Sequence, residues 1–359
     1  MQTNDARTGE ATPPERLDLR IGELVEVRPP SEVLATLDGQ GRLDALPFMP
    51  EMLQFSGRRF RVSKRAFKTC DQVKNSGMYR MENAVHLEGV RCDGSAHGGC
   101  QAGCLIFWKE GWLQRVDENA PATPEAAAVP DHQGRPPVPA GCTLDTLAAA
   151  TRTVDEASGE EVFSCQATEL PKAAPVHISG WDLRQYVEDV TTGNARPLFV
   201  LRGLLIHFFN KFQWANRRFL PRLLLINGGR SYPYVDGRRD RRTPKEVLDL
   251  QPGELVEVKS REEIFETLDK TGHNRGLRFD VEMLRYCGRR ARVLSRVNQI
   301  IDEKTGRMIH IRGDCIILDG FFCEAAFHQN CPRGLYEYWR EIWLRRVPEP
   351  TSTPQGPGN

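Results

Sequence analysis

The amino-acid sequence predicts a mixed α+β chain in which two small SH3-like β-barrel repeats flank a mainly helical central region. Three observations carry this. The stretch GELVEV at 22–27 recurs at 253–258, and at the same offset of 231 residues the segments 22–116 and 253–347 share 35 identities in 95 positions without a gap. Each segment holds several short runs of alternating apolar residues bounded by Gly, the pattern of small all-β units. Between them lies a stretch with no counterpart elsewhere, whose periodicity is mostly helical.

Taken in order, residues 1–21 carry neither a basic n-region nor an apolar h-region and read as a disordered tail. No window of about 18 uncharged apolar residues occurs, so a cytoplasmic rather than secreted or membrane-spanning chain is expected. At 359 residues, 40% hydrophobic, the chain exceeds one typical domain and has apolar material for several cores. Repeat 1 spans 22–116 and repeat 2 spans 251–347. GELVEV alternates as a strand in both, and SEVLATLD and REEIFETLD each predict one short helix. GRRFRV and GRRARV give a second strand, AVHLEGVRC and CIILDGFFC a third, and the Trp-rich ends a last strand after a helical turn. The shared pattern EML, two residues, Gly, two basic residues, apolar, Arg, Val resembles the strand entry of SH3-like barrel domains. Residues 117–141, rich in Pro and Ala, read as a flexible linker, 142–250 as a central domain and 348–359 as a disordered tail.

The stretch RCDGSAHGGCQAGC supplies the candidate site. Cys92, His97 and Cys100 fall on Cys323, His328 and Cys331, so both repeats carry Cys-x4-His-x2-Cys, whereas Cys104 falls on Leu335. Thiolate and imidazole at close spacing suit a tetrahedral zinc site, which predicts about two zinc ions per chain. Candidates for the fourth ligand are Cys70 and Cys104 in repeat 1, and Cys315, Cys287 and His310 in repeat 2; Ser56 at the position of Cys287 weakens that residue's claim. The competing readings are thiols buried without metal and a Cys-His nucleophile pair. Trp108 and Trp112 recur as Trp339 and Trp343. They read either as an aromatic binding platform or, from their helical spacing beside Phe107 and Tyr338, as core.

In the central region WDLRQYVEDV predicts a helix, EEVFSCQATEL a strand, and 197–225 the most apolar helix of the chain, interrupted by Arg202, His207, Lys211, Arg217, Arg218 and Arg222. That helix is expected to be the core of the central domain, Phe208, Phe209 and Trp214 included, with peripheral contact to an anionic membrane as the alternative. Residues 196–242 hold eleven basic residues against two acids, and 117–195 four against thirteen, so the two stretches can neutralise each other. With no zinc-finger helix, RRM or KH signature, nucleic acid is not the expected partner.

LPFMPEML, HGGCQAGCLIFWKEGWL, SCQATEL and CPRGLYEYWREIWL together resemble a family of hypothetical bacterial proteins with a duplicated Cys/His domain, over most of 22–347 apart from the linker. The resemblance brings no activity, cofactor or partner with it. Phosphate-loop, GxSxG, HExxH and paired-carboxylate signatures are all missing. The expected function is therefore a zinc-stabilised scaffold or adaptor presenting its repeats to a protein partner. The alternative is a metal- or thiol-dependent tailoring enzyme of bacterial biosynthesis.

Overall fold

The offset of 231 residues governs strand pairing as well as sequence. In the computed structural model, repeat 1 forms a five-stranded sheet from Leu24–Val27, Arg59–Arg65, Ala84–Leu87, Trp108–Lys109 and Leu113–Arg115. Repeat 2 forms another from Leu255–Val258, Arg290–Arg296, Ile316–Phe322, Tyr336–Trp339 and Leu344–Arg346. Both have the spatial order fourth, third, second, first, fifth. Leu24 faces Arg61 as Leu255 faces Arg292, and Val85 faces Trp108 as Ile316 faces Trp339. A bulge follows Val62 and Val293 alike, bending the second strand at the same residue. The whole is a mixed helix and sheet chain with several small sheets.

Described are residues 16–71, 73, 76–117, 142–221, 224–240 and 242–348. The linker from 118 to 141 and the tails up to 15 and from 349 lie outside them. Residues 16–21, expected to be disordered, are not: Leu19 is fully buried. The reason is a carboxylate. Glu110, in the 3-10 turn between the fourth and fifth strands, accepts hydrogen bonds from the backbone N–H groups of Leu17, Asp18 and Leu19 at 2.8, 2.9 and 3.1 Å. Glu341 accepts from Leu248, Asp249 and Leu250 at 2.6, 3.0 and 3.0 Å. Arg65 and Arg296 stand beside these carboxylates at 3.5 and 2.7 Å and donate to the carbonyls of Leu19 and Leu250. The repeat thus begins upstream of GELVEV, at the LDL shared by 17–19 and 248–250.

Above each clamp sits an aromatic core. Phe48 meets the rings of Trp108 and Trp112 edge-on, with centroids 6.3 and 5.1 Å apart, and Phe279 meets Trp339 and Trp343 at 6.3 and 5.3 Å. All four tryptophans are fully buried, which corrects the binding-platform reading. A platform needs a solvent-facing ring, and these rings are spent on edge-to-face packing within the sheet's core.

The central stretch is divided. By contacts the chain splits into one unit of residues up to Arg196 with Ile301–Met308, and a second of Pro197–Ile300 with the residues from Ile309. Residues 142–250, expected as one domain, are therefore shared between two. In the first unit the helix Gln166–Ala173 is tied to repeat 1 by the Gln166 amide, which donates to the carbonyls of Pro47 and Phe107 and accepts from the Phe107 N–H. Strand Val176–Ile178 pairs with Met78–Arg80, and Lys68 is buried against Asp189 at 2.6 Å.

Burial pushes the Glu341 carboxyl up, but the three N–H donors and Arg296 outweigh it and hold it below the usual carboxylate range. Its contribution to stability is present above the unfolded pKa and lost as pH falls through the lower folded value. Glu341→Gln should cost repeat 2 about 3 kcal/mol by leaving Arg296 and a backbone donor short of a charged partner. Hydrogen-exchange mass spectrometry along a urea titration would show peptides of 253–347 opening earlier while those of 22–116 hold. Unchanged midpoints in both would count against the clamp.

Candidate functional site

The two Cys-x4-His-x2-Cys loops share a backbone framework. The residue two after the first cysteine has positive φ, Gly94 at 70° and Ala325 at 57°. Its carbonyl accepts from the N–H groups of His97 and Gly99 in repeat 1, and of His328 and Asn330 in repeat 2. Cys92 N–H donates to the Cys104 carbonyl and Cys323 N–H to that of Leu335. At Gly94 a Cβ would stand 2.0 Å from the Cys100 carbonyl oxygen, so no side chain fits there; repeat 2 carries Ala325 at that position.

Beneath each loop lies a buried glutamate, Glu51 or Glu282, at matched positions. Glu51 Oε1 accepts from the Cys92 thiol at 3.1 Å and stands 2.9 Å from His97 Nδ1. His97 Nε2 lies 3.1 Å from the Ser164 carbonyl. A carbonyl can only accept, so Nε2 carries a hydrogen and the Nδ1 contact requires one further proton, held on the ring or on the carboxyl. In repeat 2 the partners differ. Glu282 Oε1 accepts from the Phe327 N–H at 2.6 Å, and His328 Nε2 turns to Asp280 at 3.2 Å.

This arrangement overturns the zinc expectation. Among the described residues no group of three or more His, Cys, Asp or Glu is placed to hold a metal ion. The proposed ligands are engaged one by one instead. Cys92 and His97 serve Glu51; Cys100 Sγ accepts from the Ile301 N–H at 3.4 Å within the first unit. Cys70 ends the strand Lys68–Cys70, and Cys104 supplies a backbone carbonyl. Cys323 is pushed well up by burial and by Glu282 and Glu337, His328 holds Asp280, Cys331 N–H donates to the His328 carbonyl, and Cys315 packs with Val297 and Ile317.

The same physics bears on thiol chemistry. Burial and then Glu51 raise the Cys92 thiol far above its ordinary value, and burial raises Cys165 to about 11, Cys287 to about 11 and Cys315 to about 12. A nucleophilic thiol needs the opposite shift. His97 borders a small cleft with Arg42, Phe48, Leu147, Thr151 and Ser164. There the Ser164 hydroxyl donates to Glu169 Oε1 at 3.3 Å and Arg42 pairs with the same carboxylate at 3.1 Å.

A second feature was misplaced by the sequence reading. The helix Pro197–Asn216 buries only Val200 and Gln213; it is no core. Its attached side mixes apolar and polar residues, Val200 and Gln213 buried with Phe199, Gly203, Ile206, His207 and Asn210 half-buried. Asn210 accepts from the Tyr232 N–H and donates to the Tyr232 carbonyl, both at 2.7 Å, and Gln213 donates to the Ile226 carbonyl at 2.6 Å. Gly203 faces the Ala326 carbonyl, 3.4 Å from where a Cβ would be, so the helix rests on the Cys/His loop of repeat 2. Leu198, Leu201, Leu205 and Phe212 point to solvent. No helix among the described residues is long and apolar enough to cross a membrane. No family model, curated protein or solved structure matches the chain.

Burial, followed by the charges of Asp280 and Glu282, pushes Glu337 up to about 8. The folded chain thus holds a proton near neutral pH that the unfolded chain has released above about pH 4.3, so repeat 2 loses stability as pH rises from about 5 to about 8. Glu337→Gln should flatten that slope, read from urea midpoints at the two pH values; an unaltered slope would refute the assignment. Cys100→Ser should cost at most about 1 kcal/mol, the scale of one weak hydrogen bond, where a ligand of a closed zinc site would cost on the order of 10 kcal/mol. Collapse of the first unit in that variant would contradict the correction.

Proposed function

We propose that the protein is a non-catalytic adaptor: its structural repeats accompany a docking helix, Pro197–Asn216, which rests on repeat 2 and engages a surface outside the chain. One observation carries the reading. The helix is fixed through the side that carries Val200, Asn210 and Gln213 and leaves an apolar stripe in solvent, and an exposed apolar patch of this kind marks an interaction site. The repeats fit the supporting role because their matched elements, the glutamate clamps and the tryptophan cores, are all turned inward. We read each sheet, with its fifth strand beside its first and a 3-10 turn between the fourth and fifth, as an SH3-like half-barrel. A thiol-dependent enzyme is the weaker alternative, since the thiols of Cys92, Cys165 and Cys323 are raised rather than activated.

A photo-crosslinking amino acid placed at Leu205 in the full-length protein, expressed in cells, tests the reading. It should yield discrete adducts, to protein or to lipid, that the same group placed at exposed Arg152 does not give. Equal labelling from both positions would sink the adaptor.

A further inference from the structure

Leu198, Leu201, Leu205 and Phe212 are 80%, 52%, 62% and 61% exposed, with half-buried Phe208 completing the run. At about 100° per residue all five fall within roughly 80° of the helix surface. Phe219, 81% exposed, Leu224 and Ile226 follow the helix in sequence as further exposed apolar side chains, and Trp214, 66% exposed, stands on the helix outside the stripe. The helix contains no acidic residue. Arg202 and Lys211 lie on either side of the stripe, and Arg217 and Arg218 follow its C-terminus, all four exposed. None of the four forms an ion pair with a described residue. The acids of this part of the chain are engaged elsewhere, Asp236 with Arg230 and Asp240 with Lys270.

Charge selects among possible occupants of the stripe. A second copy of the helix would set cations against cations along the seam with no acid to answer them. A spanning role is closed to this helix by its polar content. An anionic bilayer complements both features: it accepts a broad apolar strip without requiring shape complementarity, and it places phosphate at the level of the flanking cations. Resting on the adaptor reading, we propose that the helix Pro197–Asn216 is a membrane-surface anchor, lying in the interface of an anionic bilayer with its leucines and Phe212 inserted and Arg202, Lys211, Arg217 and Arg218 among the headgroups.

Vesicle flotation with the full-length protein tests this. Phosphatidylcholine vesicles with about 30% phosphatidylglycerol should capture the protein, pure phosphatidylcholine vesicles should capture much less, and raising salt from about 0.05 M to about 0.5 M should release it. The double variant Leu205→Asp, Phe212→Asp should keep its circular dichroism and melting temperature, since both side chains are exposed, and lose at least about tenfold in partitioning. Arg202→Gln with Lys211→Gln should weaken binding and its salt dependence together. Absence of binding to anionic vesicles, or equal binding by the Asp variant, would overturn the anchor. So would a wild-type dimer in light scattering that the Asp variant dissolves. A discrete protein adduct at Leu205 without vesicle binding would overturn the anchor and leave the adaptor standing, whereas no adduct and no vesicle binding would remove both.

Discussion

A buried carboxylate is the constraint on which each repeat depends. Glu110 and Glu341 sit where the fourth strand turns into the fifth, and each gathers three consecutive backbone N–H groups of the incoming chain. Three successive donors converge on one acceptor only if the chain between them curls, and Asp18 and Asp249 do so with φ of 51°, a cost that only a charged acceptor repays. The clamp fixes where the first strand begins. Its register against the second and fifth strands follows, since a slip of one residue would turn Val25 and Val27, or Val256 and Val258, to the wrong face. The arginine beside each carboxylate holds the entering chain's carbonyl as well, so entry point and charge are neutralised by one side chain.

The same device recurs one level up. Glu51 and Glu282 lie under the Cys/His loops and bond what each loop offers: a thiol, and an imidazole that shares a proton with the carboxyl, in repeat 1, and a backbone N–H in repeat 2. The shared cysteine and histidine positions are thus explained by one loop conformation over one buried acid. In repeat 2 the histidine is freed from the glutamate and paired to Asp280, and three carboxyls gather around it. Burial, with that crowding second, drives Glu337 up, while Asp280, which burial alone would raise, is held down by the His328 hydrogen bond.

Duplication made much of this legible in the sequence. The strands, the short helix of each repeat and the buried tryptophans lie where identities cluster, because positions fixed by packing stay alike in both copies. The clamp was half visible: Glu110 and Glu341 stand out as acids amid tryptophans, but LDL at 17–19 and 248–250 falls just outside the obvious match. The metal was read from residue type and spacing. Spacing cannot distinguish ligands that converge on one point from side chains that each find a separate partner, and Glu51, distant in sequence, was the missing information. The long helix was misread for a related reason. Composition says that leucines and phenylalanines want burial, yet which face is covered is decided by partners such as Tyr232 and Ile226, whose backbone takes Asn210 and Gln213.

An exposed apolar stripe is a hazard in water, and the charge pattern around it is what keeps the hazard directional. Two copies meeting through Leu198, Leu201, Leu205 and Phe212 would gain apolar burial while bringing Arg202, Lys211, Arg217 and Arg218 into like-charge contact. No acid within Pro197–Asn216 relieves that repulsion. The penalty vanishes only when the opposing surface is negative. The mount matters equally: hydrogen bonds from Asn210 and Gln213 and the close approach of Gly203 hold the helix by its other side. The leucines are therefore presented by the fold rather than left over from it. What ties this presentation to the rest of repeat 2 is the 325–330 loop, so the buried acid beneath that loop also sets where the stripe stands.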